Sequence, residues 1–221
     1  MKDTEFQASP SVLAFGRWSA IFSSAFSIIY IVGQLAEWLN LLGSGGGPEN
    51  ASTVAGLVIL LTPSLFLGTS FLILMVSIHY YAPVGKKIWS HVALVFATIY
   101  TALISINYYV QLTLVVPHLV RGEVESIRFL LFTPFDSFLY SVDILGYSFM
   151  SLSTLFAGFV FTDKAAKWFL IANGLILPFI ALQTYYHPLI WVASLWAITF
   201  PGATISLAVL FNRPKSIVQS L

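Results

Sequence analysis

Two acidic residues inside long apolar segments are the side chains of this sequence best suited to chemistry. Asp143 lies about two turns into one such segment, and Glu37 lies near the end of another. An ionisable side chain at the centre of a bilayer costs on the order of 2.5–3.5 kcal/mol on insertion scales, so such residues usually face the interior of a helix bundle. Asp143 and Glu37 are therefore the candidate catalytic residues.

Polar side chains recur around both acids at helical spacing. One run with intervals of three and four residues shares a helix face, and Leu, Ile and Phe occupy the other sides. It comprises Asp136, Tyr140, Asp143, Tyr147, Ser151 and Thr154. Similar faces occur around Glu37 and in two other segments. The predicted ligand-binding residues are Tyr30, Gln34, Trp38, Asn107, Gln111, Asp136, Tyr140, Tyr147, Gln183 and His187.

These residue types suit acid chemistry on an apolar molecule. A carboxylic acid that keeps its proton can protonate an alkene or an epoxide, and aromatic faces can stabilise the resulting carbocation. In that hypothesis Asp143 is the acid, and Glu37 polarises it or acts as a base. Tyr140, Tyr147 and Trp38 would line the wall.

The composition shows what must position these residues. Charged residues make up 9% of the chain and hydrophobic residues 58%, against about 25% charged in an ordinary soluble domain. The mean hydropathy is +0.88. A span needs about 20 apolar residues. This predicts an all-α bundle forming one transmembrane domain over residues 1–221, with six spans at 15–42, 53–81, 87–116, 137–161, 166–187 and 189–211.

The basic residues predict the orientation, because Lys and Arg gather in cytoplasmic loops. With the N-terminus inside, eight of them fall on the inner side: Lys2, Arg17, Lys86, Lys87, Lys164, Lys167, Arg213 and Lys215. Arg121 and Arg128 remain outside. Both termini are then cytoplasmic, and the polar residues form a cavity that opens outward. Apolar positions in residues 117–136 predict a short interfacial helix between spans three and four.

Two stretches carry a resemblance to known proteins. NYYVQLTLVVP at residues 107–117 and LGYSFMSLSTLFAG at residues 145–158 resemble a family of six-span bacterial membrane proteins of unknown function. The resemblance implies a bacterial cytoplasmic-membrane protein and no particular activity. Acids inside an aromatic-rich bundle are also similar to the general plan of integral-membrane terpene cyclases and sterol isomerases, although the motifs of those enzymes do not match.

Other classes of function are disfavoured by the sequence. A net charge of +1 implies no nucleic-acid partner. The chain has no cysteine and no H-E-x-x-H, P-loop or G-x-S-x-G motif, and no two histidines have ligand spacing on one helix. We therefore expect no metal and no cofactor.

Three hypotheses remain, and they leave open whether the chain is an enzyme. The first is binding, and conversion by acid catalysis, of a small lipophilic molecule of isoprenoid or lipid type. The second is a non-catalytic subunit that packs against a protein partner or another copy, for which Gly146, Ser153, Ala157 and Gly158 offer a weak stripe of small residues on span four. The third is a small proton-coupled carrier using Asp143 and Glu37.

Overall fold

The computed structural model describes residues 9–133 and 135–213, and this part of the chain is helical and contains no strand. The α-helices are α1 (Pro10–Trp38), α2 (Val54–Tyr81), α3 (Lys87–Val110), α4 (Val116–Arg121), α5 (Phe138–Gly158), α6 (Lys164–Leu175), α7 (Leu177–Leu182), α8 (Ile190–Ala193) and α9 (Trp196–Asn212). A π-helical segment, Gln111–Val115, joins α3 to α4. Short 3₁₀ helices lie at Val84–Lys86, Glu125–Leu130 and His187–Leu189.

Among the described residues, five helical segments are long and apolar enough to cross a membrane. They are Pro10–Trp38, Val54–Tyr81, Val84–Arg121, Lys164–Leu182 and His187–Asn212. The chain is therefore a membrane protein. The 21 residues of α5 do not belong to this group, since Tyr140, Asp143 and several serines lower its hydropathy. At about 1.5 Å per residue, α5 is still long enough to span about 30 Å of hydrocarbon.

The long helices form a closed ring in the order α1, α2, α3, α5, α6 and α9, and α9 packs back against α1. Buried hydroxyl groups mark two of the seams. Ser23 Oγ donates to Ser70 Oγ (3.0 Å) between α1 and α2, and Ser24 Oγ donates to Thr204 Oγ1 (2.8 Å) between α1 and α9. Neighbouring helices run antiparallel, as the loops between consecutive elements require.

The small-residue stripe of α5 packs inside this ring. Ser153 Oγ donates to the Ala93 carbonyl of α3 (2.8 Å). A Cβ on Gly146 would lie 2.9 Å from the Ile104 side chain, and Gly158 packs equally closely on α6. Ala157 is fully buried. The small residues therefore allow α5 to approach α3 and α6, and they do not form a lipid-facing surface for a partner.

An aromatic layer fills the ring about midway along its axis. Phe71 packs edge-on against Tyr100, with centroids 5.6 Å apart, and also contacts Phe200 at 5.6 Å. We call the end of the bundle that carries Arg17, Lys86, Lys164, Lys167 and Arg213 the basic end. We call the opposite end, where α1 ends and α2 and α5 begin, the cavity end.

The helix boundaries depart from the predicted spans in three places. The first helix ends at Trp38 instead of residue 42, because Asn40 (φ 59°) and Gly43 (φ 80°) adopt left-handed conformations. The third helical segment continues past residue 116 to Arg121. The fifth breaks at Ile176, just before Pro178, and its α-helical part ends at Leu182 instead of residue 187.

The connector between α4 and α5 also differs from the short interfacial helix predicted within residues 117–136. Gly122 (φ +75°) ends α4, and only the 3₁₀ helix Glu125–Leu130 follows. Ile127 is buried there, whereas Val120 and Val124 are exposed. The apolar positions therefore do not form one continuous face. The predicted inner residues Lys2 and Lys215 lie outside the described residues.

Candidate functional site

The ring encloses a cavity of about 470 Å³ at the cavity end. Its wall is mostly aliphatic and aromatic. Nine of the twelve predicted site residues line it: Tyr30, Gln34, Glu37, Trp38, Gln111, Tyr140, Asp143, Tyr147 and Gln183. The structure therefore brings together side chains from α1, α5, the π-helical segment and the end of α7. Their functional roles remain predictions.

Asp143 projects from α5 toward the cavity. Asn107 of α3, which is fully buried, donates from Nδ2 to Asp143 Oδ1 (3.3 Å) and to the Leu139 carbonyl (3.1 Å). This amide fixes one carboxyl oxygen and leaves the other side of the group toward the cavity, where Asp143 is half-buried. The contact expected from the polar faces of these two helices is present.

Tyrosine hydroxyl groups surround Asp143. Those within electrostatic range of its carboxyl group belong to Tyr30, Tyr100, Tyr108, Tyr140 and Tyr147. The hydroxyl groups of Tyr108 and Tyr147 lie 3.1 Å apart and share a hydrogen bond. Tyr147 follows Asp143 by four residues, so both project from the same face of α5. The acid thus lies among tyrosine side chains drawn from α1, α3 and α5.

Three aromatic side chains of the wall meet at right angles. Trp196 of α9 contacts Tyr30 at 5.8 Å between centroids with an 88° angle, and Tyr147 at 5.8 Å with an 89° angle. Phe200 stacks beneath Trp196 at 5.4 Å. We call Tyr30, Tyr147 and Trp196 the aromatic corner. Aromatic ring faces attract cations, and all three of these side chains line the cavity.

Glu37 lies at the end of α1 and packs against the start of α2. Its Oε1 accepts a hydrogen bond from Thr53 Oγ1 (3.4 Å), the hydroxyl group that caps α2. A Cβ on Gly56 would overlap the same carboxyl group. The positive end of the α2 dipole favours an anion here. No hydrogen bond joins Glu37 to Asp143 within the described residues, and each acid has its own partner, Thr53 for Glu37 and Asn107 for Asp143.

Several buried polar atoms at the cavity have no hydrogen-bond partner within the described part of the chain. On the wall these are Glu37 Oε2, Tyr140 Oη and Trp196 Nε1. Asn107 Oδ1 and Tyr100 Oη, which lie next to wall residues, share this property. A buried polar group without a partner costs about 1–3 kcal/mol. The cavity therefore presents both donors and acceptors that the protein itself leaves unsatisfied.

Gln111 begins the π-helical segment and ties the connector to the bundle. Its Nε2 donates to the Leu130 carbonyl (2.8 Å). A π-helical turn inside an α-helix is rare and often occurs at a functional site. The sequence pattern shows Gln111 one turn from Asn107 but gives no sign of the wider turn.

Two predicted site residues lie at the mouth of the cavity and not on its wall. Asp136 is exposed, because α5 begins only at Phe138 after the Ser137 cap, and Asp136 precedes the helical periodicity. His187 stacks on Phe135 at 4.1 Å, and its Nε2 lies 3.5 Å from Glu49 Oε1. The Asp136 position corrects the predicted stripe.

Sequence reasoning missed most of the other wall residues, and Tyr108 and Trp196 are two of them. Tyr108 is adjacent to Asn107 and three residues before Gln111, so its spacing could have included it. Trp196 lies in an apolar segment, where Thr199 is its polar neighbour at helical spacing. Only the packing of α9 against α1 brings Trp196 to Tyr30.

The charge of the wall is one-sided. Glu37 and Asp143 are its ionisable acids, and none of the described wall residues is Lys, Arg or His. Within residues 9–133 and 135–213, no group of three or more His, Asp or Glu side chains could hold a metal ion. No protein-family model, curated protein or solved structure matches the chain.

Proposed function

We propose that this protein binds a small lipophilic molecule in the cavity, with a polar group of that molecule at Asp143. The observation that carries the proposal is an aromatic and aliphatic cavity of about 470 Å³ with the half-buried acid Asp143 on its wall. Such a volume falls within the range of pockets for small ligands. The unpartnered Tyr140 hydroxyl and Trp196 N–H supply further polar contacts.

The topology forms part of this proposal. All six helices of the ring cross a bacterial cytoplasmic membrane, and the basic end faces the cytoplasm. Arg17, Lys86 and Lys164 support that orientation, since basic residues favour the cytoplasmic side. The cavity then opens outward, beneath the connector between α4 and α5.

Binding fits the structure better than transport or assembly. The aromatic layer of Phe71, Tyr100 and Phe200 lies between the cavity and the basic end, which favours a pocket with one opening over a path across the bundle. The small residues of α5 are buried where this helix packs against α3 and α6. They therefore give no support to a docking surface on that helix.

Filling the cavity tests the proposal. Ala193 lies on the wall and is 8% exposed, so Ala193→Phe introduces a ring into the space. Ala102→Phe adds the same ring on the exposed face of α3 and serves as the matched control. Lipophilic molecules are extracted from the purified proteins and quantified by mass spectrometry. We expect a molecule that accompanies the native protein and the control and falls about tenfold or more in Ala193→Phe. Equal amounts in all three proteins would refute binding in this cavity.

A second comparison separates binding from conversion. Asp143→Asn keeps the size and the hydrogen-bonding capacity of the side chain but removes the acid. If Asp143 transfers a proton to the ligand, the variant retains a different molecule, the unconverted substrate. The same molecule in the native protein and in Asp143→Asn would exclude acid catalysis and leave a binding protein.

A further inference from the structure

We infer that the polar group recognised at Asp143 is a protonated amine, so that the ligand class is a lipophilic ammonium compound. This inference rests on the proposed function and specifies its ligand. It comes from the juxtaposition of a buried carboxyl group, an aromatic corner and a wall without basic side chains.

The first step concerns charge. Glu37 and Asp143 face the cavity, and no described wall residue can provide a positive charge to either. In place of a basic side chain, Glu37 has the start of α2, where the Thr53 hydroxyl group and the helix dipole stabilise an anion. Asp143 has only the neutral amide of Asn107 and tyrosine hydroxyl groups. A cation in the cavity would therefore find its counter-charge at Asp143.

The second step concerns the aromatic rings. Ammonium groups bind in cages of aromatic faces, because the ring quadrupole attracts a cation within about 6 Å of a centroid. Tyr147 follows Asp143 by one helical turn and meets Trp196 at a right angle. Tyr30 closes the corner from α1. One positive group could therefore contact the carboxyl group and several ring faces together.

The third step concerns the rest of the ligand. Aliphatic side chains occupy much of the wall away from Asp143, including Leu57, Leu60, Leu61, Ile144 and Ile180. These surfaces favour a compact hydrocarbon body over a sugar or a phosphate. A phosphate ester is further disfavoured, since its charge would meet Glu37 and Asp143 with no basic residue on the wall.

Proton balance follows simply. An amine that arrives protonated pairs directly with the Asp143 carboxylate. Where Asp143 carries its proton, a neutral amine takes that proton and forms the same ammonium–carboxylate pair, whereas a quaternary ammonium compound displaces the proton to solvent. Both compounds can occupy the aromatic corner, whereas an alcohol of equal size supplies no charge.

Three probes of one shape test the inference: 1-adamantanamine, 1-adamantanol and N,N,N-trimethyl-1-adamantylammonium. Binding is measured by equilibrium dialysis against the full chain in phosphatidylcholine nanodiscs, and empty nanodiscs correct for partitioning into lipid. We expect both cations to bind the native protein at least about tenfold more tightly than the alcohol, the ratio that 1.4 kcal/mol provides.

Variants then locate the site. Asp143→Asn should lower the affinity for both cations to that of the alcohol and change the affinity for the alcohol by less than about twofold. Glu125→Gln, which removes an exposed carboxyl group in the connector at the same end, should change none of the three. Retained alcohol binding shows that Asp143→Asn is folded. If that variant loses all binding, the relative affinities of the native protein for the cations and the alcohol still test whether the ligand is an ammonium compound.

Three results would overturn the inference. They are equal affinity of the native protein for amine and alcohol, cation binding that survives Asp143→Asn, and no binding of any probe. The Ala193→Phe comparison decides the proposed function independently. A molecule displaced by Ala193→Phe together with equal probe affinities would preserve the cavity as a binding site and reject the ammonium class.

Discussion

Polar side chains at the basic end satisfy one another, whereas those at the cavity end leave atoms unpaired. Arg213 binds Asp163 at 2.8 Å, and Arg17 donates to Asn212 Oδ1 at 2.8 Å. Lys86 Nζ donates to the Val160 carbonyl at 2.9 Å. In the part of the chain that the structure describes, some buried polar side-chain atoms have no hydrogen-bond partner. These atoms lie at the aromatic layer or on its cavity side. The exception is Ser151 Oγ, one turn from Tyr147 toward the basic end.

The same residue types therefore serve two purposes in one bundle. Asn173 donates to Thr154 Oγ1 (3.0 Å) and accepts from Thr199 Oγ1 (2.9 Å), which joins α5, α6 and α9. Asn107 is equally buried, yet its Oδ1 remains unpaired beside the cavity. Hydrogen bonds between membrane helices often serve only to hold them together. The contrast separates Asn173, whose amide is paired on both sides within the ring, from Asn107, which keeps an unpaired acceptor beside the cavity.

The largest effect on stability should come from Asn173→Leu. Two buried hydrogen bonds are lost, which we expect to lower the free energy of unfolding by about 1–2 kcal/mol. Tyr140→Phe removes a buried hydroxyl group without a partner, so its effect should stay within about 0.5 kcal/mol. Thermal unfolding in nanodiscs compares the two variants. An equal or greater loss for Tyr140→Phe would erase the distinction between the two ends.

A smaller effect is expected from Asp163, the cap of α6 at the basic end. Partial burial acts to raise the pKa of Asp163, but hydrogen bonds from the Ala166 N–H and from Arg213 outweigh it and hold that pKa below its usual range. A carboxyl group with a lowered pKa in the folded state stabilises the fold above the unfolded pKa of about 3.9 and loses that contribution as the pH falls through the folded pKa.

The test of Asp163 is therefore a pH series. Asp163→Asn keeps a capping side chain and loses the ion pair, which at this partly exposed site should cost about 0.5–1 kcal/mol near pH 7. The difference in melting temperature between native protein and variant should shrink below about pH 4. A difference that stays constant down to pH 2 (about two units below the unfolded pKa) would show that the pair with Arg213 does not stabilise the fold.

The smallest structural change comes from two single-cysteine variants. Their labelling assigns each end of the bundle to one side of the membrane. Ser126 lies in the exposed connector, and Gly85 lies in the exposed turn between α2 and α3 with open space around its Cβ position. We expect Ser126→Cys to react with an impermeant maleimide in intact cells and Gly85→Cys to react only after permeabilisation. The chain has no other cysteine to react. The reverse pattern would place the cavity in the cytoplasm.

Local patterns in the sequence predicted what depends on one helix or on adjacent helices. Composition predicted the all-α membrane bundle, and intervals of three and four residues placed Asp143, Tyr140 and Tyr147 on the cavity wall. The contact between Asn107 and Asp143 followed from polar faces on helices joined by one connector.

Features set by distant parts of the chain could not be predicted in this way. Trp196 reaches the site only because α9 closes the ring against α1. Glu37 packs against the start of α2, where Thr53 donates to it, and the spacing within α1 does not predict that contact. Asp136 matched the polar stripe by spacing alone. It lies outside α5, because Ser137 caps the helix and Phe138 is its first residue. These outcomes depend on packing and backbone turns that periodicity does not encode.

The π-helical segment determines which side of α4 faces the cavity. Gln111 and Leu119 both line the cavity, although each residue of an ordinary α-helix advances by about 100°. Successive steps of four residues would drift around the helix, and the wider turn at Gln111–Val115 absorbs part of that drift. The segment is thus equivalent to a one-residue insertion held in place. Deleting one residue from it would rotate α4 and carry Leu119 away from the wall, while Asn107 kept its position beside Asp143.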